Sequence, residues 1–309
     1  MGRGLNHRRV TSVPPPSGSE PLLRPELPDG LPPDRVPPPP APPSRGDELP
    51  AWPPWAPFAA MLVTLGVAIL GAAFATLVAT LAGYDVSSGD PPAGVTITGT
   101  FFQDGALILS AWLLARLTAG SPTPAQFGLR MLKPLRGLGW LLGTWLVFVA
   151  FSGIWAAALG IKENDDLPRE LGADDSSTAL FFVAVLVCVA APIAEELFFR
   201  GFCFTALRRW IGVAGGAIAT GVIFGLIHAG SADPVFLVPL GVFGALLCVL
   251  YMVSGSLLPC MVLHALNNSL ALGVTQSWEP LQVIALMLGS SAAVLAIALP
   301  FARRAPQTV

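Results

Sequence analysis

The sequence predicts an all-α, polytopic transmembrane helix bundle of about eight spans, and three observations carry that prediction. Hydrophobic residues fill 53% of the 309 positions and charged residues 12%, against about 25% charged in an ordinary soluble domain. The mean hydropathy is +0.67. Apolar runs long enough to cross a bilayer, about 20 residues of helix, recur along most of the chain. Together these exclude a soluble globular enzyme and a disordered regulator. A formal net charge of −2 supplies no basic field for a polyanion, so no nucleic acid is expected as a partner, whereas membrane lipids are.

Residues 1–56 form a separate compositional region, with 17 of the 31 prolines, among them the run Pro37 to Pro40. Such a stretch has too little apolar surface to offset its ordering entropy. It reads as a disordered tail of polyproline II character, inert or met by a proline-recognition partner. No apolar region of the signal-peptide kind follows its basic start. The candidate spans then run 57–83, 97–118, 137–161, 178–207, 211–229, 235–253, 256–273 and 280–301. Between the second and third, residues 121–136 read as an interfacial amphipathic segment. The chain therefore divides into the tail 1–56, N-terminal transmembrane helices over 57–177, a polar-motif core over 178–273, and a last helix with a short basic tail over 274–309. Cys188, Cys203, Cys248 and Cys260 all lie in apolar stretches and read as small core residues.

Ionisable groups at membrane depth are costly and point to function. Those inside the apolar runs are Asp104, Glu195, Glu196, Arg200, His228 and His264. Glu196 and Arg200 stand at i, i+4, the spacing of an ion pair on one helix face. Glu195 lies about 100° further round, which leaves it available as a base. Phe224 stands one turn before His228, and His264 shares a face with Asn268 while Asn267 points off it. The fourth and fifth spans turn near Trp210-Ile211-Gly212, so Glu195 and His228, equally far from that turn, should lie at similar depth. Gly212, Gly216, Gly221 and Gly225 allow close helix approach. Asp104 has no evident partner and reads as a helix-end or water-facing residue. The alternatives for this set are a non-catalytic scaffold and a proton- or ion-coupled transporter.

The run Glu195-Glu196-Leu-Phe-Phe-Arg200, then Phe224 to His228, then His264 to Asn268, resembles the EExxxR, FxxxH and HxxxN motifs of the CPBP family of intramembrane proteases. That family includes the type II CAAX prenyl endopeptidases and bacterial proteins linked to bacteriocin processing, immunity and abortive infection. The resemblance covers about residues 178–273 and implies an intramembrane endopeptidase acting on a membrane-associated peptide or protein. It implies Glu195 as general base with His228 as partner, His264 and Asn268 as oxyanion donors, and Glu196, Arg200 and Phe224 as supports. No cofactor is implied as a requirement; a divalent metal such as zinc, if bound, would take Glu195, His228 and His264. The implied setting is a bacterial inner (plasma) membrane. HExxH, GxSxG and GxGD motifs are absent, against site-2-type, rhomboid-like and presenilin-like proteases.

Orientation follows from the basic residues. With the N-terminus inside, the inner segments hold Arg116, Arg130, Lys133, Arg136, Arg208, Arg209, Arg303 and Arg304 besides the tail arginines, and the outer loops hold only Lys162 and Arg169. Both termini are expected in the cytoplasm. Reporter fusions at Asp90, Arg136, Asp175 and the C-terminus check this: a reporter at Asp175 should be active outside and silent inside, and cytoplasmic activity there would reverse the topology.

Overall fold

A computed structural model of the chain describes residues 50–86, 92–161, 167–229 and 231–302. Among them there is no strand, only a bridge between Ala229 and Ala232. Seven helical stretches are long and apolar enough to cross a membrane. The first three are α1 (Ala56–Leu81), α2 (Ala93–Ala119) and α3 (Pro134–Leu159); after a short turn, α4 (Leu167–Glu170), the fourth is a 50-residue stretch, Ser177–Leu226. It comprises α5 (Ser177–Val185), a first π turn (Leu186–Ala190), α6 (Ala191–Glu196), a second π turn (Leu197–Phe204) and α7 (Thr205–Leu226). The last three are α8 (Pro234–Ser254), α9 (Leu258–Thr275) and α10 (Pro280–Ala302).

The 50-residue stretch is two membrane helices, because α7 breaks at Ile211 and Gly212, where Gly212 takes φ +75°. That left-handed backbone is open to glycine without a Cβ penalty. The chain doubles back there, and Phe199 and Phe224, equally distant from the break, bring their rings to 5.2 Å. Among the described residues the bundle therefore has eight membrane helices, in line with the about eight spans that the apolar runs predict. Helix starts follow local chemistry: Ser176 caps α5 through the Ala179 N–H and Asp233 caps α8 through the Val235 N–H, each meeting an orphan first-turn donor.

Apolar side chains cover the outside of the bundle. On α1 alone Leu62, Leu65, Ile69 and Leu70 are exposed, a face suited to lipid, and the chain is a multi-pass integral membrane protein. α9 is the most enclosed span, packed against α3, α6, α8 and α10. The glycines of the fifth helix serve α8: a Cβ on Gly221 would stand 2.5 Å from the Gly241 carbonyl oxygen, and one on Gly225 2.6 Å from that of Leu237. The four cysteines are buried and unpaired.

Two expectations are refined. Residues 121–136, read as an interfacial amphipathic segment, pack into the bundle over 125–129. Ala125, Phe127 and Leu129 are buried, the Gly128 carbonyl accepts from Leu257 N–H at 2.8 Å, and Ser256 donates to the Arg130 carbonyl. The segment is tucked under the α8–α9 turn, which satisfies backbone groups that a lipid-facing loop could not. The proline-rich tail lies outside the described residues over 1–49, but its last residues belong to the fold. Trp52 is 2% exposed, with its ring 4.9 Å from Phe127 and 5.0 Å from Phe202, and Arg209 donates to the Pro50 carbonyl. An indole next to two phenyl rings gains more from burial than its proline neighbours lose.

Removing residues 1–49 is expected to leave the melting temperature in detergent unchanged. Trp52→Ala should lower stability by about 3–5 kcal/mol, the range for deleting a buried aromatic. Thermal unfolding of the two purified variants distinguishes them, and an unaltered Trp52→Ala would detach this residue from the core.

Candidate active site

The site is built on α6, a six-residue helix between two π turns. A π turn widens the helix and leaves carbonyls without their usual i+4 donors. Side chains meet two carbonyls of these turns, one from α9 and one from the first residue of α7. Asn268 Nδ2 donates to the Val187 carbonyl at 2.9 Å, and Thr205 Oγ1 to that of Arg200 at 3.1 Å. Between these turns the adjacent Glu195 and Glu196 both face inward.

Glu196 and Arg200 form the ion pair their spacing predicts, Oε1 to Nη1 at 2.8 Å, with both side chains fully buried. Arg200 Nη2 donates to the Gly244 carbonyl at 3.1 Å, and its guanidinium lies 4.5 Å from the centroid of the Phe224 ring. A cation over a desolvated aromatic face is stabilised by the ring quadrupole. Arg200 thus ties the fourth helix to α7 and α8.

His264 of α9 enters between the two glutamates. Its Nδ1 stands 2.8 Å from Glu196 Oε1 and its Nε2 3.9 Å from Glu195 Oε2. The ring is 4% exposed and held edge-to-face by Phe224 and Phe243, at 5.9 and 5.6 Å. The Glu196 carboxylate, already paired with Arg200, can only accept, so His264 donates from Nδ1 and aims Nε2 at Glu195. The 3.9 Å gap is too long for a direct hydrogen bond and suits two groups sharing one water molecule. Glu195 Oε2 is buried without a hydrogen-bond partner among the described residues.

His228 follows the end of α7. Its Nδ1 lies 2.8 Å from the Phe224 carbonyl oxygen, which can only accept; that nitrogen is therefore the donor, and Nε2 of the neutral ring carries the lone pair. The ring reaches the cluster over Phe224, centroids 5.1 Å apart. The structure thus gathers Glu195, Glu196, Arg200, Phe224 and His264 directly, adds His228 through Phe224, and sets Asn268 on the π turn that precedes α6.

As zinc ligands, Glu195, His228 and His264 do not fit. No group of three His, Cys, Asp or Glu among the described residues is gathered closely enough to hold a metal ion. One residue that sequence reasoning sets aside stands beside the site. Asp104 is not at a helix end but in the middle of α2, 4% exposed, within electrostatic reach of Glu195.

Residues 177–270 match the family model described as type II CAAX prenyl endopeptidase Rce1-like. The match bears out the resemblance read from the three motifs and spans the glutamates, both histidines and Asn268. No curated protein and no solved structure matches the chain.

Arg200→Ala would leave Glu196 buried with its cation gone, a loss of about 3–5 kcal/mol for a broken buried pair. Glu195→Gln is near-isosteric at a carboxyl whose Oε2 makes no hydrogen bond among the described residues and should melt like the wild type. Equal melting temperatures for Arg200→Ala and wild type in detergent would dissolve the pairing.

Proposed function

We propose that the chain is an intramembrane endopeptidase in which Glu195 activates water for attack on a peptide carbonyl. The observation that carries the reading is the two-sided hold on His264. Glu196, braced by Arg200, fixes Nδ1, and the opposite nitrogen looks across 3.9 Å at a Glu195 oxygen that makes no hydrogen bond among the described residues. A scaffold needs no such gap, whereas a hydrolase needs room for water beside a base held in an apolar wall.

In this reading water donates one hydrogen to Glu195 Oε2 and the other to the lone pair on His228 Nε2. The water oxygen bonds to the carbonyl carbon as Glu195 takes the proton. Charge gathering on the carbonyl oxygen meets N–H donors from His264 Nε2 and from the second amide hydrogen of Asn268, whose first is fixed on Val187. A preorganised donor pair in a water-poor site is strongly stabilising. Glu195 then returns its proton to the leaving nitrogen as the C–N bond breaks. In this reading both ring nitrogens of His264 act as donors, Nδ1 to Glu196 and Nε2 to the oxyanion. No step draws on a metal or other cofactor.

The proposed substrate is a membrane-associated peptide or protein, as the name of the matched endopeptidase family suggests, and membrane lipids surround the bundle. The proposed setting is a bacterial inner membrane with both termini cytoplasmic, supported by the even helix count and the basic inner segments.

Substrate trapping with Glu195→Gln, followed by proteomics and then cleavage of the trapped protein by purified variants, is the test. Glu195→Gln and His264→Ala should abolish hydrolysis in folded protein, and His228→Ala should do the same. Asn268→Ala should slow it by about 100- to 1,000-fold, the usual cost of one oxyanion donor, while Asn267→Ala should be mild. Wild-type cleavage by Glu195→Gln would return the chain to the scaffold or transporter readings.

A further inference from the structure

Away from the candidate site, the outside of the bundle carries an apolar crevice. A cavity of about 490 Å³ is walled by Ile108, Leu109 and Trp112 of α2, by Pro124 and Phe127 of the tucked segment, and by Phe301 near the end of α10. That volume is in the range of a small-molecule site. Ile108, Leu109, Trp112 and Phe301 are also exposed, so the crevice opens on the lipid-facing side of α2 and not into the core. The sequence leaves it unfilled. Gly105 stands on its wall, and a Cβ there would meet no atom within 4 Å. Walls of this kind favour hydrocarbon over water.

A cation stands at the end of the same stripe of α2. Trp112 and Arg116 are one turn apart, and the Arg116 guanidinium lies 5.5 Å from the centroid of the Trp112 ring. Arg116 is in the last turn of α2 and meets no carboxylate among the described residues. The same end of the bundle carries Arg130, Lys133 and Arg136 before or within the start of α3, and Arg208 and Arg209 before the break in α7. Ser256 of the α8–α9 turn donates to the Arg130 carbonyl, and Arg208 Nη1 stands 2.7 Å from Met252 Sδ near the end of α8. Among the described residues, aspartates and glutamates lie at mid-depth or at the opposite end, as at Asp85, Asp175, Asp233 and Glu279. Trp and Arg together mark headgroup depth, and a membrane-flanking face of this sign attracts anionic lipid.

We propose that the crevice binds one anionic phospholipid, with an acyl chain lying along Gly105, Leu109 and Trp112 and the phosphate at Arg116. The rise from Gly105 to Arg116 is about 16 Å, one leaflet's share of a hydrocarbon core about 30 Å thick. The chain therefore stays in hydrocarbon while the phosphate reaches the helix end. The site differs from the lipid that surrounds the bundle in having a shaped cavity and a cation held over its wall, and it is independent of the endopeptidase reading.

The test uses the full-length protein in a non-ionic detergent, with dioleoyl phosphatidylglycerol as the probe and binding counted by native mass spectrometry. The wild type should take up one phosphatidylglycerol saturably. Phosphatidylcholine with the same chains should bind about fivefold more weakly, and soluble glycerol phosphate should not bind. Arg116→Gln should weaken phosphatidylglycerol binding by about fivefold, the usual worth of one basic residue at an anionic headgroup, and Arg116→Lys should keep most of it. Gly105→Leu fills the crevice from within α2 and should weaken binding by about tenfold or more, since each displaced methylene is worth about fourfold. Without added lipid its melting temperature should equal or exceed that of the wild type, because leucine is the better helix former and the space is open. Phosphatidylglycerol with a diazirine in its acyl chain should label the α2 peptide that holds Ile108 to Trp112, and Gly105→Leu should lose that label. Absence of saturable phosphatidylglycerol binding, equal binding of phosphatidylcholine, wild-type affinity in Arg116→Gln or Gly105→Leu, a lowered melting temperature in Gly105→Leu, or label confined to the exposed face of α1 would each overturn the proposal.

Discussion

Everything at the centre of this bundle is arranged around one buried guanidinium. Arg200 neutralises Glu196, ties down the Gly244 carbonyl and rests on the Phe224 ring, so one side chain joins three of the membrane helices. A lone arginine at this depth would be strongly unfavourable. With a carboxylate, a carbonyl and an aromatic face around it, it becomes the fixed point from which the other polar groups take their positions. Glu196 is held by Arg200, and His264 is held by Glu196. The other nitrogen of His264 then faces Glu195 Oε2 at 3.9 Å.

The backbone has to come close for this to work. Gly221 and Gly225 let α7 lie directly on α8, which keeps the Gly244 carbonyl within reach of a side chain on the helix before the turn. The reversal at Gly212 places Phe199 against Phe224, and Phe224 in turn supports Arg200 on its face while its edge and carbonyl steady the two histidines. Turn, glycine contact and ion pair act as one unit. The tucked segment at Phe127 and the Trp52 ring close it from the side of the N-terminal helices.

Much of this was legible in the residues. Hydropathy marks the eight helices, because a membrane core demands unbroken apolar runs. Helical periodicity pairs Glu196 with Arg200, because those residues are one turn apart. Partnerships between distant residues were not legible. Glu196 and His264 are separated by 68 positions, and no local pattern announces which glutamate a histidine will meet. Asp104 could be flagged as a charge in an apolar run, but its helix had to be packed on α6 before the neighbour appeared. The burial of residues 125–129 escaped for a related reason: its deciding contacts are backbone hydrogen bonds to the α8–α9 turn, and composition does not reveal those. Trp52 was lost among prolines, since a single aromatic hardly alters the character of a 56-residue stretch.

The π turn at Leu186–Ala190 has a further consequence. A π turn accommodates an additional residue within a helix, and each residue of an α-helix advances the azimuth by about 100°. Shortening this stretch by one position would let it relax to ordinary α-helix and swing Glu195 and Glu196 about 100° away from His264, while Asn268 would be left reaching for a carbonyl turned inward on its own helix. Volume-conserving apolar exchanges here would leave that bearing as it is. Length, rather than identity, is what this segment cannot change: it acts as a spacer whose residue count sets the bearing of the two carboxylates.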